Sequence, residues 1–409
     1  MRILFVTNHL FSTGGDWTYV NSAVELYRSF GHQVLLFGLK DERNIDQTLA
    51  SYYVNGITKS DKRNKIVYAI NVLKKCIYSQ EAYTKMGRFL DKFPVDIVQL
   101  NSINIGLTPS IINAIQERKI PIVWRILDYK LICPTIYLRC GNEICEACKG
   151  GKYVQCIKKR CKNNSIFDSI AVAIETVFYS YRKEYSKVDC FSFQNDFTRN
   201  KYIEWGFDRY NTISIENPYD VSSIFPKRRI GSYVLYFGRL DKPKGVLSFV
   251  ESAKINKDIM HIVVGTGDEE NRIRSEIESC GMNNIELKGP VWGEEMETII
   301  ENARFVIVPS EWFEPSPYVV LQSFSHAKPV IASNIGGLPE MISDGVDGYL
   351  FDAGNINDLA IKIKELYGDT DKIIKMGERA RYKVETKYAP QLYYEKTMVL
   401  FNKLINRKG

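Results

Sequence analysis

Residues 232–245 read Ser232-Tyr233-Val234-Leu235-Tyr236-Phe237-Gly238-Arg239-Leu240-Asp241-Lys242-Pro243-Lys244-Gly245. A short unbroken apolar run entering a glycine turn is the pattern of a strand buried on both faces, as in a parallel sheet. Similar runs follow at Ile259 to Gly265, Ile285 to Gly289, Phe305 to Pro309 and Pro329 to Ser333, with helical segments between. The alternation predicts a doubly wound parallel sheet.

Upstream the pattern occurs a first time. Ile3 to Val6, the turn Thr13-Gly14-Gly15, an apolar-periodic stretch from Val20 to Phe30, and Gly31 to Phe37 spell strand, turn, helix, strand. Val95 to Leu100 and Pro121 to Ile126 continue it, separated by a helical stretch from Pro109 to Glu117. A strand-like Thr212 to Ile215 ends in the turn Asn217-Pro218, ahead of a connector rich in Lys and Arg. The fold class is therefore α/β, with two facing Rossmann-like domains and a cleft between them. Their expected bounds are 1–218 and 219–387, and a terminal helix over 388–409 would cross back to the first domain. A chain of 409 residues suits two such cores.

Composition excludes other classes. With 45% hydrophobic and 25% charged residues and no low-complexity tract, the chain is not of the disordered class. The opening apolar stretch reads as a strand and not as a signal peptide. The most apolar helical stretch, Ile166 to Phe178, carries Asp168 and Glu175 and falls short of the ~20 residues that a spanning helix needs. Residues 1–218 hold 30 Lys and Arg against 21 Asp and Glu, a balance of +9, while the remainder balances to −2. Such a bias suits an anionic membrane surface, an acidic or phosphate-bearing substrate, or simple solvation. No dense basic run interleaved with aromatics points to nucleic acid.

Ligands of open α/β sheets bind beyond the carboxyl ends of the strands, so chemistry-bearing residues should follow strands. Arg239 and Lys244, after the first strand of the second series, form a cationic pair suited to a diphosphate. Val263-Val264-Gly265-Thr266-Gly267-Asp268 is a glycine turn that permits close backbone approach, though many parallel strands simply end this way. The sharpest constellation is Pro309 to Gln322, which reads as strand, Pro-bearing turn and helix start. Glu314 can accept hydrogen bonds from sugar hydroxyls, the helix start after Ser316 and Pro317 offers amides to phosphate, and Gln322 can reach a ribose.

Taken in order, the Gly-Gly turn, GRL with KG, GTG, EPSPYVVLQ, PVIAS, GGLPE and DGYLF resemble the retaining GT-B enzymes of glycosyltransferase family 4. The resemblance covers nearly the whole chain. It implies that Arg239 and Lys244 grip the diphosphate, Glu314 contacts the donor sugar, and the amides of Tyr318 and Val319 hold the distal phosphate. Val291 and Trp292 would flank the base, and Gly15 would let the first domain's loop approach the phosphates. Two departures stand out. The family's E-x7-E pattern reads Glu314 to Gln322, an amide for a carboxylate, and an amide oxygen can still accept from a ribose hydroxyl. The family's His-Asp pair reads Leu127-Asp128, leaving Asp128 an orienting role.

Cys133, Cys140, Cys145, Cys148, Cys156 and Cys161 lie within 29 positions, with Cys76, Cys190 and Cys280 elsewhere. The spacing C-x2-C, C-x7-C, C-x4-C over Cys145, Cys148, Cys156 and Cys161 suits a structural zinc, with disulfides or free thiols as the alternatives. Four cysteines would close the coordination shell, so no catalytic metal is implied. Some members of the resembled family carry a similar insert after HDY-x3-CP, here LDYKLICP.

The sequence thus predicts a cytoplasmic enzyme, with the inner face of the membrane as one option that its basic half leaves open. It would move a sugar with retention from a nucleotide-diphosphate sugar to a glycan or lipid-linked acceptor in surface polysaccharide biosynthesis. The alternatives are a catalytically silent paralogue, suggested by Leu127 and Gln322, and a nucleotide-sugar epimerase, which would need acid and base groups around the ring that four histidines do not supply.

Overall fold

In a computed structural model the protein is described over residues 1–12, 14–56, 78–103, 106–141, 143–181, 183–226 and 230–408. Cys76, Thr13 and the basic connector residues 227–229 lie outside them. The chain divides into two compact units. One comprises Met1–Gly141, Cys145–Pro218 and Pro390–Gly409, and the other Asn142–Ile144 and Tyr219–Ala389.

The first unit is built on six parallel strands: β1 (Arg2–Val6), β2 (Gln33–Phe37), β3 (Ile97–Leu100), β4 (Ile122–Arg125), β5 (Cys190–Phe193) and β6 (Thr212–Ser214). Their order is β6-β5-β4-β3-β1-β2. Helix α1 (Gly15–Ser29) crosses from β1 to β2. It buries Tyr19, Val20, Ala23, Val24 and Tyr27, the periodic face of the sequence pattern. Helix α2 (Ile166–Tyr181) precedes β5.

The second unit repeats the plan with β7 (Tyr233–Phe237), β8 (Met260–Val264), β9 (Ile285–Leu287), β10 (Ala303–Val308), β11 (Val330–Ser333) and β12 (Gly348–Phe351). Their order, β9-β8-β7-β10-β11-β12, is the 3-2-1-4-5-6 order of the Rossmann fold. Successive side chains of β7 feed opposite layers. Val234 and Tyr236 join one apolar cluster with Val263, Phe305 and Ile331, while Leu235 and Phe237 join another with Ile262, Val306 and Val330. Burial on both faces is why these strands carry unbroken apolar runs, each core side chain contributing roughly 1.5–3 kcal/mol. Helices α3 (Val246–Ile255) and α4 (Tyr318–Ser325) follow β7 and β10.

The terminal helix α5 (Pro390–Lys408) belongs to the first unit. It begins two residues later than the apolar pattern from Tyr388 predicts, with Pro390 at its first position, where a missing N–H costs nothing. Tyr393 reaches the Tyr19 hydroxyl at 2.6 Å. Tyr27 packs among Tyr393, Tyr394 and Phe401, and Phe30 stacks on Tyr394 with ring centroids 3.8 Å apart. Aromatic pairs of this kind add about 0.5–1.5 kcal/mol each beyond their buried area.

Candidate active site

In a doubly wound sheet the ligand crevice opens where the strand order reverses. In the second unit that point lies between β7 and β10, and the two strand ends deliver the residues singled out in the sequence. After β7 the chain turns through Gly238 (φ 143°) to Arg239 and then through Lys244 to Gly245 (φ 69°). A Cβ on Gly245 would stand 1.7 Å from the Pro309 carbonyl oxygen, so only glycine lets the two loops lie together. After β10, Ser310 and Glu314 follow.

Lys244 Nζ lies 2.6 Å from Glu314 Oε1, and Ser310 donates its hydroxyl to the same oxygen at 2.8 Å. Glu314 is 3% exposed. Lys244 also stands 5.3 Å from the centre of the Trp312 ring, a cation–π contact. The backbone clamps the acid further, since Gly337 N–H donates to the Glu314 carbonyl at 2.7 Å. Gly336 (φ 65°) approaches so closely that an added Cβ would meet Glu314 N at 2.6 Å. Arg239 is turned outward, 59% exposed, and pairs with Asp241 at 2.8 Å. The two predicted cations therefore hold separate carboxylates.

Helix α4 opens two residues beyond Ser316. Ser316 is buried, its hydroxyl 3.7 Å from Met341 Sδ. The N-cap residue Pro317 offers no side chain to the first-turn amides of Tyr318 and Val319. Gln322, on the same helix, donates its amide to Glu297 Oε1 at 3.0 Å, which directs the nitrogen away and leaves the amide oxygen as the acceptor. Gly265 (φ 141°) ends β8 against the Gly238 carbonyl, at a separation of 1.8 Å from any Cβ it might carry. Beyond β9, Val291 is half-buried and Trp292 is 77% exposed.

The first unit has its own reversal, between β1 and β3. Gly14 (φ 124°) turns the chain into α1 at Gly15. Asp16, in the first turn, accepts from Ser102 Oγ at 2.7 Å, beyond the end of β3. Asp128, beyond β4, accepts from the Lys130 amide at 2.7 Å. Burial, then the Asp16 charge, push its carboxyl up to about 7, opposed by the Lys130 amide and ammonium. Leu127 beside it is half-buried. Asp16, Ser102 and Ser310 were not singled out in the sequence. Asp16 directly follows the Gly14-Gly15 turn, a usable signal, whereas a serine beyond a strand carries none.

The family match falls on the second unit. Residues 223–383 match the family of glycosyl transferases group 1. That range contains Arg239, Lys244, Glu314 and Gln322. The chain is 29% identical over 150 residues to an uncharacterized glycosyltransferase of Methanocaldococcus jannaschii, covering 37% of this chain and 42% of that protein. It is 29% identical over 163 residues to a D-inositol 3-phosphate glycosyltransferase of Paenarthrobacter aurescens, covering 38% and 40%. The chain thus spans about two fifths of the length of these relatives. Among solved structures, HepE of Anabaena in complex with UDP superposes with a TM-score of 0.72 at 16% identity, over 99% of this chain and 100% of that one. The likeness extends the two-unit Rossmann-like architecture, the GT-B plan, to the whole chain.

The cysteine cluster begins close to Asp128, where the Cys133 N–H donates to the Tyr129 carbonyl at 2.7 Å. Cys133, Cys148 and Cys156 are buried, Cys140, Cys145 and Cys161 half-buried, Cys190 is buried, Cys280 exposed, and all eight are free thiols. Burial, then neighbouring Cys133 and Cys156, push the Cys148 thiol up to about 12. Burial and Cys156 likewise raise Cys161. Lys159 Nζ is 3.5 Å from Cys145 Sγ. In donor type these soft ligands suit zinc. In arrangement they do not present a site, since among the described residues no three His, Cys, Asp or Glu are placed to hold a metal ion.

Proposed function

We propose that this protein is a retaining glycosyltransferase that takes a sugar from a nucleotide-diphosphate sugar and passes it to a glycan or lipid-linked acceptor in surface polysaccharide biosynthesis. The observation that carries the reading is the Lys244–Glu314–Ser310 cluster at the reversal point of the second sheet, inside the range that matches group 1. The names of the relatives and the UDP bound in HepE support a nucleotide-linked donor.

In this reading negative charge develops on the diphosphate as the sugar leaves. Lys244, Arg239 and the first-turn amides of α4, Tyr318 and Val319, meet that charge electrostatically. Glu314 accepts from a sugar hydroxyl, held in position by Ser310 and the Gly337 amide. The Gln322 oxygen accepts from a ribose hydroxyl, Val291 and Trp292 flank the base, and Gly265 and Ser316 keep the phosphate path narrow. Gly15 and Asp128 serve from the first unit, Asp128 as an orienting group. The cations being the protein's own, we infer no catalytic metal, and turnover should persist in a chelator. A structural zinc on Cys145, Cys148, Cys156 and Cys161 is part of the same reading and would require those side chains to regroup. We place the enzyme in the cytoplasm.

The test is a thermal-shift screen of UDP-, GDP- and other nucleotide sugars, where a ligand of the folded state raises the midpoint, followed by an assay for released nucleotide. A shift with release supports the proposal. A shift without release under any acceptor would favour the silent paralogue, the reading to which Leu127 lends weight, and a ring-isomerised donor would favour the epimerase. No shift with any nucleotide sugar would refute the donor site.

A further inference from the structure

Helix α2 is inside out. A surface helix ordinarily turns its apolar stripe to the core and its polar side to water. Here the buried positions are Ser169, Ala173, Glu175, Thr176 and Tyr179. Glu175 points inward to Lys130 Nζ at 2.9 Å, both side chains largely buried. The outward positions are Phe167, 83% exposed, Ile174 and Val177, each more than two fifths exposed, and Tyr181, 86% exposed. At ~100° per residue, positions 167, 174, 177 and 181 fall on one side of the helix. Half-buried Ile170, Ala171 and Phe178 border them. The result is a continuous apolar strip about 21 Å long from Phe167 to Tyr181, at 1.5 Å per residue. A soluble surface carries single apolar residues freely, but a strip of this kind marks an interaction.

Its ends are cationic. Lys158, Lys159, Arg160 and Lys162 are exposed just before the helix, and Lys183 is exposed just after it. The helix's own acids do not oppose them. Glu175 is turned inward and Asp168 accepts from Asn163 Nδ2 at 2.9 Å. The first 218 residues carry the whole positive balance of the chain. An apolar strip with basic residues at both ends is the complement of a lipid interface, with acyl chains below and anionic headgroups around. Self-pairing is disfavoured by the same charges, since an antiparallel partner would bring its Lys158 to Lys162 cluster against Lys183. No helix among the described residues is long and apolar enough to cross a membrane.

We propose that the outward face of α2, with its flanking lysines and arginine, docks this protein onto an anionic lipid bilayer. The helix lies in the plane of the headgroups, Phe167, Ile174, Val177 and Tyr181 entering the acyl boundary. This surface shares no residue with the proposed donor site, so its test is independent of the proposed chemistry.

The experiment is co-sedimentation of the full chain with vesicles of phosphatidylcholine alone and of phosphatidylcholine mixed with phosphatidylglycerol. The wild type should bind the anionic vesicles at least about tenfold more tightly than the neutral ones, and more weakly as salt rises. Replacing Phe167, Ile174, Val177 and Tyr181 together by Ser should abolish binding. Replacing Lys158, Arg160 and Lys162 by Gln, with Lys159 left in place against Cys145, should remove the preference for phosphatidylglycerol. Both variants should keep the wild-type thermal midpoint and any nucleotide-induced shift, because every altered side chain is on the surface. Absence of wild-type binding to anionic vesicles at low salt would overturn the proposal. So would binding unaffected by both variants, or a concentration-dependent dimer in ultracentrifugation that the serine variant dissolves.

Discussion

Lys244 and Glu314, seventy positions apart in the chain, form a 2.6 Å ion pair between the loops that follow two neighbouring strands. The pair exists because β7 and β10 are adjacent in the sheet although two strands separate them in sequence. Glu314→Gln keeps the shape and one acceptor but removes the charge. It should lower kcat/KM by ~10²–10³-fold while the fold survives, and Lys244→Ala should do the same through loss of charge on the diphosphate. Nucleotide release and thermal midpoints measured together check this. Wild-type rates in both variants would refute the donor assignment.

Gly336 acts through Glu314. An alanine there would carry its Cβ to 2.6 Å from Glu314 N in a φ of 65°, so the acid's loop must move. Gly336→Ala should cost ~1–2 kcal/mol of stability, and about 10²-fold in turnover through misplacement. Equal losses in Gly336→Ala and in a control such as Gly354→Ala, whose added Cβ meets nothing within 4 Å, would show that only general strain is being measured.

Asp128 should give the protein a pH-dependent stability of definite sign. Its carboxyl is raised from 3.8 to about 7, by burial first and by the Asp16 charge second. Between those values the folded chain holds a proton that the unfolded chain has released, so this group favours folding at low pH and the advantage is lost as pH rises to about 7. Asp128→Asn keeps the acceptor for the Lys130 amide and removes the charge. Relative to the wild type it should gain in thermal midpoint between pH 5 and pH 8, and a parallel pair of profiles would refute the account.

Leu127 places an apolar side chain where the resembled family has a histidine. The resemblance implies that the donor sugar meets this position, and on that reading a hydroxyl there would be desolvated without a partner at a cost of ~1–3 kcal/mol. The wild type should therefore prefer 6-deoxy or N-acetylated donors by kcat/KM, and Leu127→His should move the preference toward fully hydroxylated hexoses. A wild-type preference for a fully hydroxylated hexose would refute this role.

On the structural-zinc reading, which needs Cys145, Cys148, Cys156 and Cys161 to regroup from their present arrangement, elemental analysis should give about one zinc per chain, with chelation and Cys148→Ser lowering the thermal midpoint alike. Metal-free protein of unchanged stability would exclude the site.

The sequence by itself determined the two sheets and most of the residues in the second unit's cluster. Strands buried on both faces must be apolar throughout, and glycines such as Gly238 and Gly245 must stand where φ is positive, so both leave a one-dimensional trace. Helix α2 was legible as a helix from its long apolar stretch interrupted by Asp168 and Glu175. Which of its faces meets water was not, because amphipathic periodicity gives an arc and not a direction, and here the polar arc is the buried one. The partners of each charge were equally hidden. Lys244 and Arg239 look alike in the sequence, yet one lies against a buried glutamate and the other turns outward to Asp241. The Asp16–Ser102 bond joins residues 86 positions apart. Only tertiary structure decided these, since strand order, which local sequence does not encode, sets which loops become neighbours.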